Sequence, residues 1–275
     1  MKYLFRDRLA SSALLATYHK QNHVVHPDHH DYHPHFELYV RRTPLAQEIT
    51  LNGSSLRVDT PCAVLTAPFS IHTMSTVDED SAEFERFVIY FDQRFLDSFG
   101  ESVLPHKLFF SYTDCLFPLT VPEAKALSPL LDMLFDSTLP EGERAALLAL
   151  LLSRLARLVP EERRVGFAKL HDYIPQVLQY LYRHADEPLY AEEIAARFHV
   201  SRAKLNRDFG ASVGQSLHQA IIDLRITNAK RLLAENRLSL REIALRCGFS
   251  SELYFHTAFK RVTGVAPSVW RRAQA

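Results

Sequence analysis

The sequence predicts an α+β chain: a β-rich N-terminal domain with a helical segment, followed by an all-α C-terminal domain. Between residues 20 and 122, apolar residues alternate with period two in short runs separated by turn residues. Beyond Pro122 the apolar spacing becomes helical, and near the C-terminus one helical pattern occurs twice. A length of 275 residues suggests about two domains, and 47% hydrophobic content lets each bury a core.

Taken in order, Met1 to Leu15 carries Asp7 and Arg8 inside its apolar pattern, so no signal peptide is expected. Phe36, Leu38 and Val40 alternate with Glu37 and Tyr39, which predicts a strand with two distinct faces. Ala63 to Thr66 and Phe84 to Phe91 are further strand-like runs, bounded by Asn52-Gly53, Pro61 and Pro68. Short strands so closely spaced suggest a sandwich or small barrel. Glu123 to Ser137 and Glu141 to Val159 read as helices. The second aligns Leu147, Leu148, Leu151, Leu152, Leu155 and Leu158 in a wide apolar stripe, suited to a core or in part to homodimerisation. The charged segment Pro160 to Gly166 ends that helix and marks a boundary between domains 1–160 and 167–275.

Composition narrows the function classes. The three cysteines, Cys62, Cys115 and Cys247, are far apart, which disfavours a disulfide framework or a CxxC zinc site. The longest apolar run, Ala145 to Leu152, falls far short of the roughly 20 residues that span a bilayer, so a cytoplasmic protein is expected. The net charge of zero hides an asymmetry. Residues 1–185 hold 18 basic and 23 acidic side chains, net −5; residues 186–275 hold 14 and 9, net +5. From Ala195 onward the excess rises to +9, the sign a nucleic-acid reader needs.

The repeated pattern is specific. Tyr190 to Ser201 leads into a helix carrying Leu205 and Phe209; about 50 residues later Ser239 to Ser250 leads into one carrying Phe255 and Phe259. Each has a small residue, Ala195 or Ala244, where a second helix must approach. A turn residue follows, His199 or Gly248, and then a serine, Ser201 or Ser250, expected as the next N-cap. Leu217 to Asn236 reads as one long helix joining the two units.

Residues 170–272 thereby resemble the DNA-binding domain of the AraC/XylS family of bacterial transcription regulators. The resemblance rests on Ala229 to Leu233, Leu240 to Ala244, Cys247 to Ser250, Tyr254-Phe255, Phe259-Lys260, Thr263-Gly264 and Pro267 to Arg271. It implies two recognition helices that enter successive major grooves of double-stranded DNA. By position, Arg202, Ala203, Asn206 and Arg207 are expected at base edges from the first helix, and Glu252, Leu253, His256 and Thr257 from the second. Asparagine pairs with adenine and arginine with guanine, each bidentate contact worth roughly 1–3 kcal/mol of discrimination. Lys204, Arg246, Ser250, Lys260 and Arg261 are expected on phosphates, which position without specifying sequence. The first unit departs from the family pattern at His199, Asp208 and Gly210, which predicts weaker anchoring of its recognition helix.

The N-terminal histidines leave three readings open. Asp31, His33, Glu37 and His72 resemble the ligand spacing of cupin barrels, so the β-rich part is expected as a cupin-like barrel. Pro34 to Leu38 and Pro68 to His72 also resemble the sensor domain of AraC-type regulators. The four residues therefore form a small-molecule effector pocket, a metal site or a structural cluster. No cofactor is required by any other motif. The resemblance implies a regulator, an activator rather than a repressor, that binds an effector, dimerises and meets RNA polymerase. The alternative is a metal-dependent cupin enzyme tethered to DNA by its tail. No Ser/His/Asp or Cys/His nucleophile arrangement can be identified in the sequence.

Overall fold

The computed structural model describes residues 2–5, 15–21, 29–76, 85–99, 114–167 and 173–273. The chain divides into two compact units, Met1–Leu170 and His171–Ala275. No helix among the described residues is long and apolar enough to cross a membrane.

The first unit is built on two sheets. One contains β1 (Lys2–Phe5), β3 (His29–Tyr32), β5 (Gln47–Leu51), β6 (Ser54–Val58) and β8 (His72–Thr76), in the order β1-β3-β8-β5-β6. The other contains β2 (Leu15–Gln21), β4 (Phe36–Arg41), β7 (Cys62–Thr66), β9 (Glu85–Phe91), β10 (Cys115–Pro118) and β11 (Val165–Gly166), in the order β11-β10-β7-β4-β9-β2. The expected barrel is therefore not closed among the described residues: the two hydrogen-bonded ladders remain separate. Phe84, the first residue of the expected Phe84 to Phe91 run, lies outside the described residues.

Strand β4 is buried along its whole length, because both of its faces are covered. Phe36, Leu38 and Val40 join one core with Leu148, Leu151 and Leu155, while Tyr39 joins another with Ile49, Leu51 and Met74 of the facing sheet. The result is three layers: helices, six-stranded sheet, five-stranded sheet. The face carrying Glu37, Tyr39 and Arg41 is polar in sequence yet buried, with Arg41 donating to Gln47 Oε1 at 3.1 Å and to the Thr60 carbonyl at 2.5 Å.

The helical layer follows α1 (Gln93–Asp97) and comprises α2 (Val121–Leu134) and α3 (Glu141–Leu158). Thr120 and Glu123 form a reciprocal capping box, and Pro122 sits in the first turn, where its missing N–H is harmless. Of the leucines expected at a dimer contact, Leu148, Leu151 and Leu155 are consumed by the core of their own unit. Leu147 and Leu158 are only partly covered and pack against that core. The segment Pro160 to Gly166 is not a free linker: β11 pairs with β10, and Arg163 donates to both oxygens of Glu123 at 2.6 and 2.9 Å.

The second unit is all helical: α4 (Ile174–Arg183), α5 (Ala191–Arg197), α6 (Arg202–Val213), α7 (Leu217–Ala234), α8 (Leu240–Arg246), α9 (Glu252–Thr263) and α10 (Pro267–Arg272). Helix α7 is the spine. Its Ile222, Ile226, Ala229 and Leu233 pack with Ile243, Ala244, Phe255 and Phe259, and Trp270 leans half-buried on that cluster. Arg225 donates from the other side of α7 to the carbonyls of Ala185 and Glu187, at 2.7 and 2.8 Å.

Candidate functional site

The pairs α5–α6 and α8–α9 are built from equivalent parts. The amide of Val200 donates to the Ala195 carbonyl at 3.0 Å, and that of Phe249 to the Ala244 carbonyl at 2.9 Å. Such a bond back across the last turn needs one left-handed residue inside it. His199 (φ 55°) and Gly248 (φ 77°) supply it. Ala195 and Ala244 are both buried, so their small side chains admit the helix packed across them.

The next helix is capped in each unit, with one difference from expectation. The Ser201 hydroxyl accepts from the Lys204 amide at 3.1 Å. In the second unit the cap is Ser251, which accepts from the Tyr254 amide at 3.1 Å, whereas Ser250 is exposed. The second turn is one residue longer, which leaves Ser250 free of the capping role.

The helical period then sorts the side chains. Leu205 and Phe209 on α6, and Phe255 and Phe259 on α9, are buried. Arg202, Ala203, Asn206 and Arg207 are all exposed, and so are their counterparts Glu252, Leu253, His256 and Thr257. Leu253 is 77% exposed. Leu189, His218 and Ile221 line two depressions of about 450 and 330 Å³. One reaches Ser250 and Tyr254, the other Arg202 and Asn206, so the two depressions adjoin along the three residues they share.

The expected phosphate contacts divide. Arg246, Ser250, Lys260 and Arg261 are exposed, with Arg261 reaching Gln219 at 3.3 Å. Lys204 is instead half-buried and paired to Asp208 at 2.5 Å. Arg202 is paired to Glu192 of α5 at 2.6 Å. Asp208 also corrects an expectation. The residue read as weakening the first unit is buried and accepts from the Tyr173 hydroxyl at 2.8 Å, so it ties α6 to the start of α4. Burial and the Asp208 carboxylate push the Tyr173 phenol up to about 12.

A second constellation lies between the two sheets. The imidazole Nε2 atoms of His33 and His72 stand 3.0 and 3.2 Å from the same Glu37 oxygen, and all three residues are buried. The other ring nitrogens face backbone carbonyls, His33 Nδ1 at 3.0 Å from His35 and His72 Nδ1 at 2.9 Å from Ser70. Burial pulls His72 down, but the Glu37 charge and hydrogen bond outweigh it and raise the ring to about 9. Burial dominates at His33 and lowers it. Burial would raise Glu37, yet the two imidazoles hold it well below the usual carboxylate range. Asp31, expected in this group, is half-buried and opposite His72 in the β3–β8 pairing; the convergent cluster consists of the other three.

Two capped helical pairs on one spine, each presenting polar and basic side chains from a recognition helix, define a double helix-turn-helix DNA-binding domain. Residues 194–273 match the family described as a helix-turn-helix domain. This domain is similar to the DNA-binding domains of AraC/XylS-type transcription regulators. It is 36% identical over 87 residues to the HTH-type transcriptional activator RhaR of Cronobacter sakazakii, covering 32% of this chain and 31% of that protein. With the xylose operon regulatory protein of Escherichia coli it shares 29% identity over 114 residues, 41% of this chain and 29% of the other. The chain thus spans about a third of the length of the curated relatives it matches. These relatives are named as regulators of transcription and not as enzymes. Among solved structures, the C-terminal domain of AraT from Geobacillus stearothermophilus is 32% identical, covering 38% of this chain and 88% of that one, with a TM-score of 0.37. ToxT from Vibrio cholerae is 14% identical over 95% of this chain and 99% of that chain, with a TM-score of 0.46.

Proposed function

We propose that the chain is a sequence-specific transcription activator whose grip on DNA is modulated by a small effector held in its N-terminal unit. The observation that carries the DNA-reading part is the equivalence of the two exposed quartets, Arg202/Ala203/Asn206/Arg207 and Glu252/Leu253/His256/Thr257, on helices each of which borders one of two adjoining depressions. On such an arrangement both helices enter one face of double-stranded DNA, about a helical turn apart. Arg207 and Asn206 supply hydrogen-bonded readout, and Leu253 supplies an apolar contact for a thymine methyl. Lys260, Arg246 and Ser250 hold phosphates.

The sensor assignment rests on His33, Glu37 and His72, with Asp31 at the edge: polar groups gathered where the surrounding strands are apolar. A homodimer, formed along α3 where Leu147 and Leu158 keep some surface, would place two readers on paired half-sites. An effector alters this only by binding one arrangement of the protein more tightly than another. As an activator it would work in the cytoplasm and touch RNA polymerase. Selection of bound fragments from randomised double-stranded DNA, with the full chain, tests the reading. Enrichment of a defined motif with two contacted segments about one helical turn apart is expected; recovery of no enriched sequence overturns it.

A further inference from the structure

The geometry points to a divalent transition-metal site formed by His33 Nε2, Glu37 Oε2 and His72 Nε2. This deepens the sensor reading, on which only its regulatory meaning rests; the site itself stands on three observations.

The first is hydrogen bookkeeping. A backbone carbonyl only accepts, so the Nδ1 atoms that face His35 and Ser70 at 3.0 and 2.9 Å each carry a hydrogen. Both Nε2 atoms then converge on one carboxylate oxygen at 3.0 and 3.2 Å. The Nε2 atoms of the two rings, whose centroids stand 5.0 Å apart, are thereby aimed at a common point beside that oxygen. One metal ion among the three atoms satisfies all of them, with both rings neutral.

The second is orientation. An Nδ1–H donated to a carbonyl is the arrangement that fixes ring and tautomer in histidine ligands. Here it occurs twice, on His33, which follows β3, and on His72, the first residue of β8 in the same sheet, while Glu37 comes from the facing sheet. His33 is also held by the edge-on ring of Tyr90, with centroids 4.9 Å apart.

The third is size. The three ligand atoms lie within 4.8 Å of one another. Ligands about 2.0–2.2 Å from a tetrahedral metal are separated by roughly 3.3 Å, close to the two distances seen. Two imidazoles and one carboxylate suit zinc or ferrous iron, whereas calcium and magnesium prefer oxygen alone. Asp31, beside His72 across the β3–β8 pairing, adds negative charge near the site.

The test uses the full, untagged chain dialysed against zinc and then against buffer, with retained metal counted per chain. Wild type should retain about one equivalent, with a raised melting temperature. His33→Gln and His72→Gln should each weaken retention by more than about tenfold, while His184→Gln, at an exposed turn, should match wild type. No retention by wild type, or equal retention in all three variants, overturns the inference. If the two ligand variants fail to fold, cobalt(II) added to wild type decides. Intense visible d–d bands of a four- or five-coordinate nitrogen/oxygen site support it, and a weak hydrated-ion spectrum overturns it. Failure here leaves the DNA-selection result untouched.

Discussion

The hydroxyl of Tyr173 donates to the buried carboxylate of Asp208 at 2.8 Å, fastening the first recognition helix to the start of the helix that opens its domain. Lys204 shares the same oxygen at 2.5 Å. Tyr173→Phe should cost about 1 kcal/mol of stability, and Asp208→Ala about 1–3 kcal/mol, because it strands a phenol in a partly closed place. Urea unfolding of the full chain measures both. An Asp208→Ala protein as stable as wild type would show that the carboxylate is not an anchor.

The two turns should respond in opposite directions. A Cβ on Gly248 would lie 2.8 Å from the Ala185 carbonyl oxygen and 2.9 Å from the Asp186 backbone, at a φ of 77°. Gly248→Ala should therefore destabilise by about 2 kcal/mol or more. At His199, exposed and also left-handed, glycine relieves the backbone but loosens the unfolded chain, so His199→Gly should gain roughly 0.5 kcal/mol. Thermal unfolding of the paired variants checks the signs.

DNA contacts separate by salt and by sequence. Arg207→Ala should relax preference at one base pair, losing roughly 1–3 kcal/mol on the selected site. Lys260→Ala should weaken all sequences alike and lower the slope of log affinity against log salt by about 0.9. Binding titrations at several salt concentrations distinguish the two. A sequence-dependent effect of Lys260→Ala would move that residue from phosphate to base.

Glu123 offers a pH test. Its hydrogen bond from Arg163, offset in part by burial, holds the carboxyl down at about 2. A depressed folded value means stability present above the unfolded value near 4.5 and lost as pH falls through the folded one. Wild type should exceed Glu123→Gln by less than about 1 kcal/mol at neutral pH, since the pair is close to solvent. That gap should shrink on acidification towards pH 2; a gap that widens would show the pair is not responsible.

In α3, truncation should report core and not assembly. Leu148→Ala should cost about 2–5 kcal/mol through a cavity, as expected of a side chain with no exposed surface. Sedimentation of that variant should show no change in subunit number while it remains folded.

The C-terminal domain was legible because its information is local. Helical period, caps and turn residues lie within about 20 residues of one another, so Leu205, Phe209, Phe255 and Phe259 could be placed inside and the two quartets outside. What escaped depended on neighbours distant in sequence. Asp208 reads as a flaw until Tyr173, 35 positions earlier, is brought beside it. Ser250 and Ser251 are adjacent serines that only backbone geometry separates. Glu37 and Tyr39 looked like a polar face, but the second sheet covers them, and alternation alone does not reveal a second cover. The same long-range closure decided that the strands make two sheets and that Pro160 to Gly166 is pinned by Arg163.

On the proposed reading, in which Arg202 meets a base, its pair with Glu192 gives recognition an exchange character. Before it can meet a base, the guanidinium must abandon a carboxylate of its own chain, so a site that offers only a weak acceptor returns less than the separation takes away. Poor sequences are thereby discounted at this position without any clash. Added salt loosens the internal partner as well as the external one, which makes the contribution of Arg202 less sensitive to ionic strength than that of an unpaired arginine.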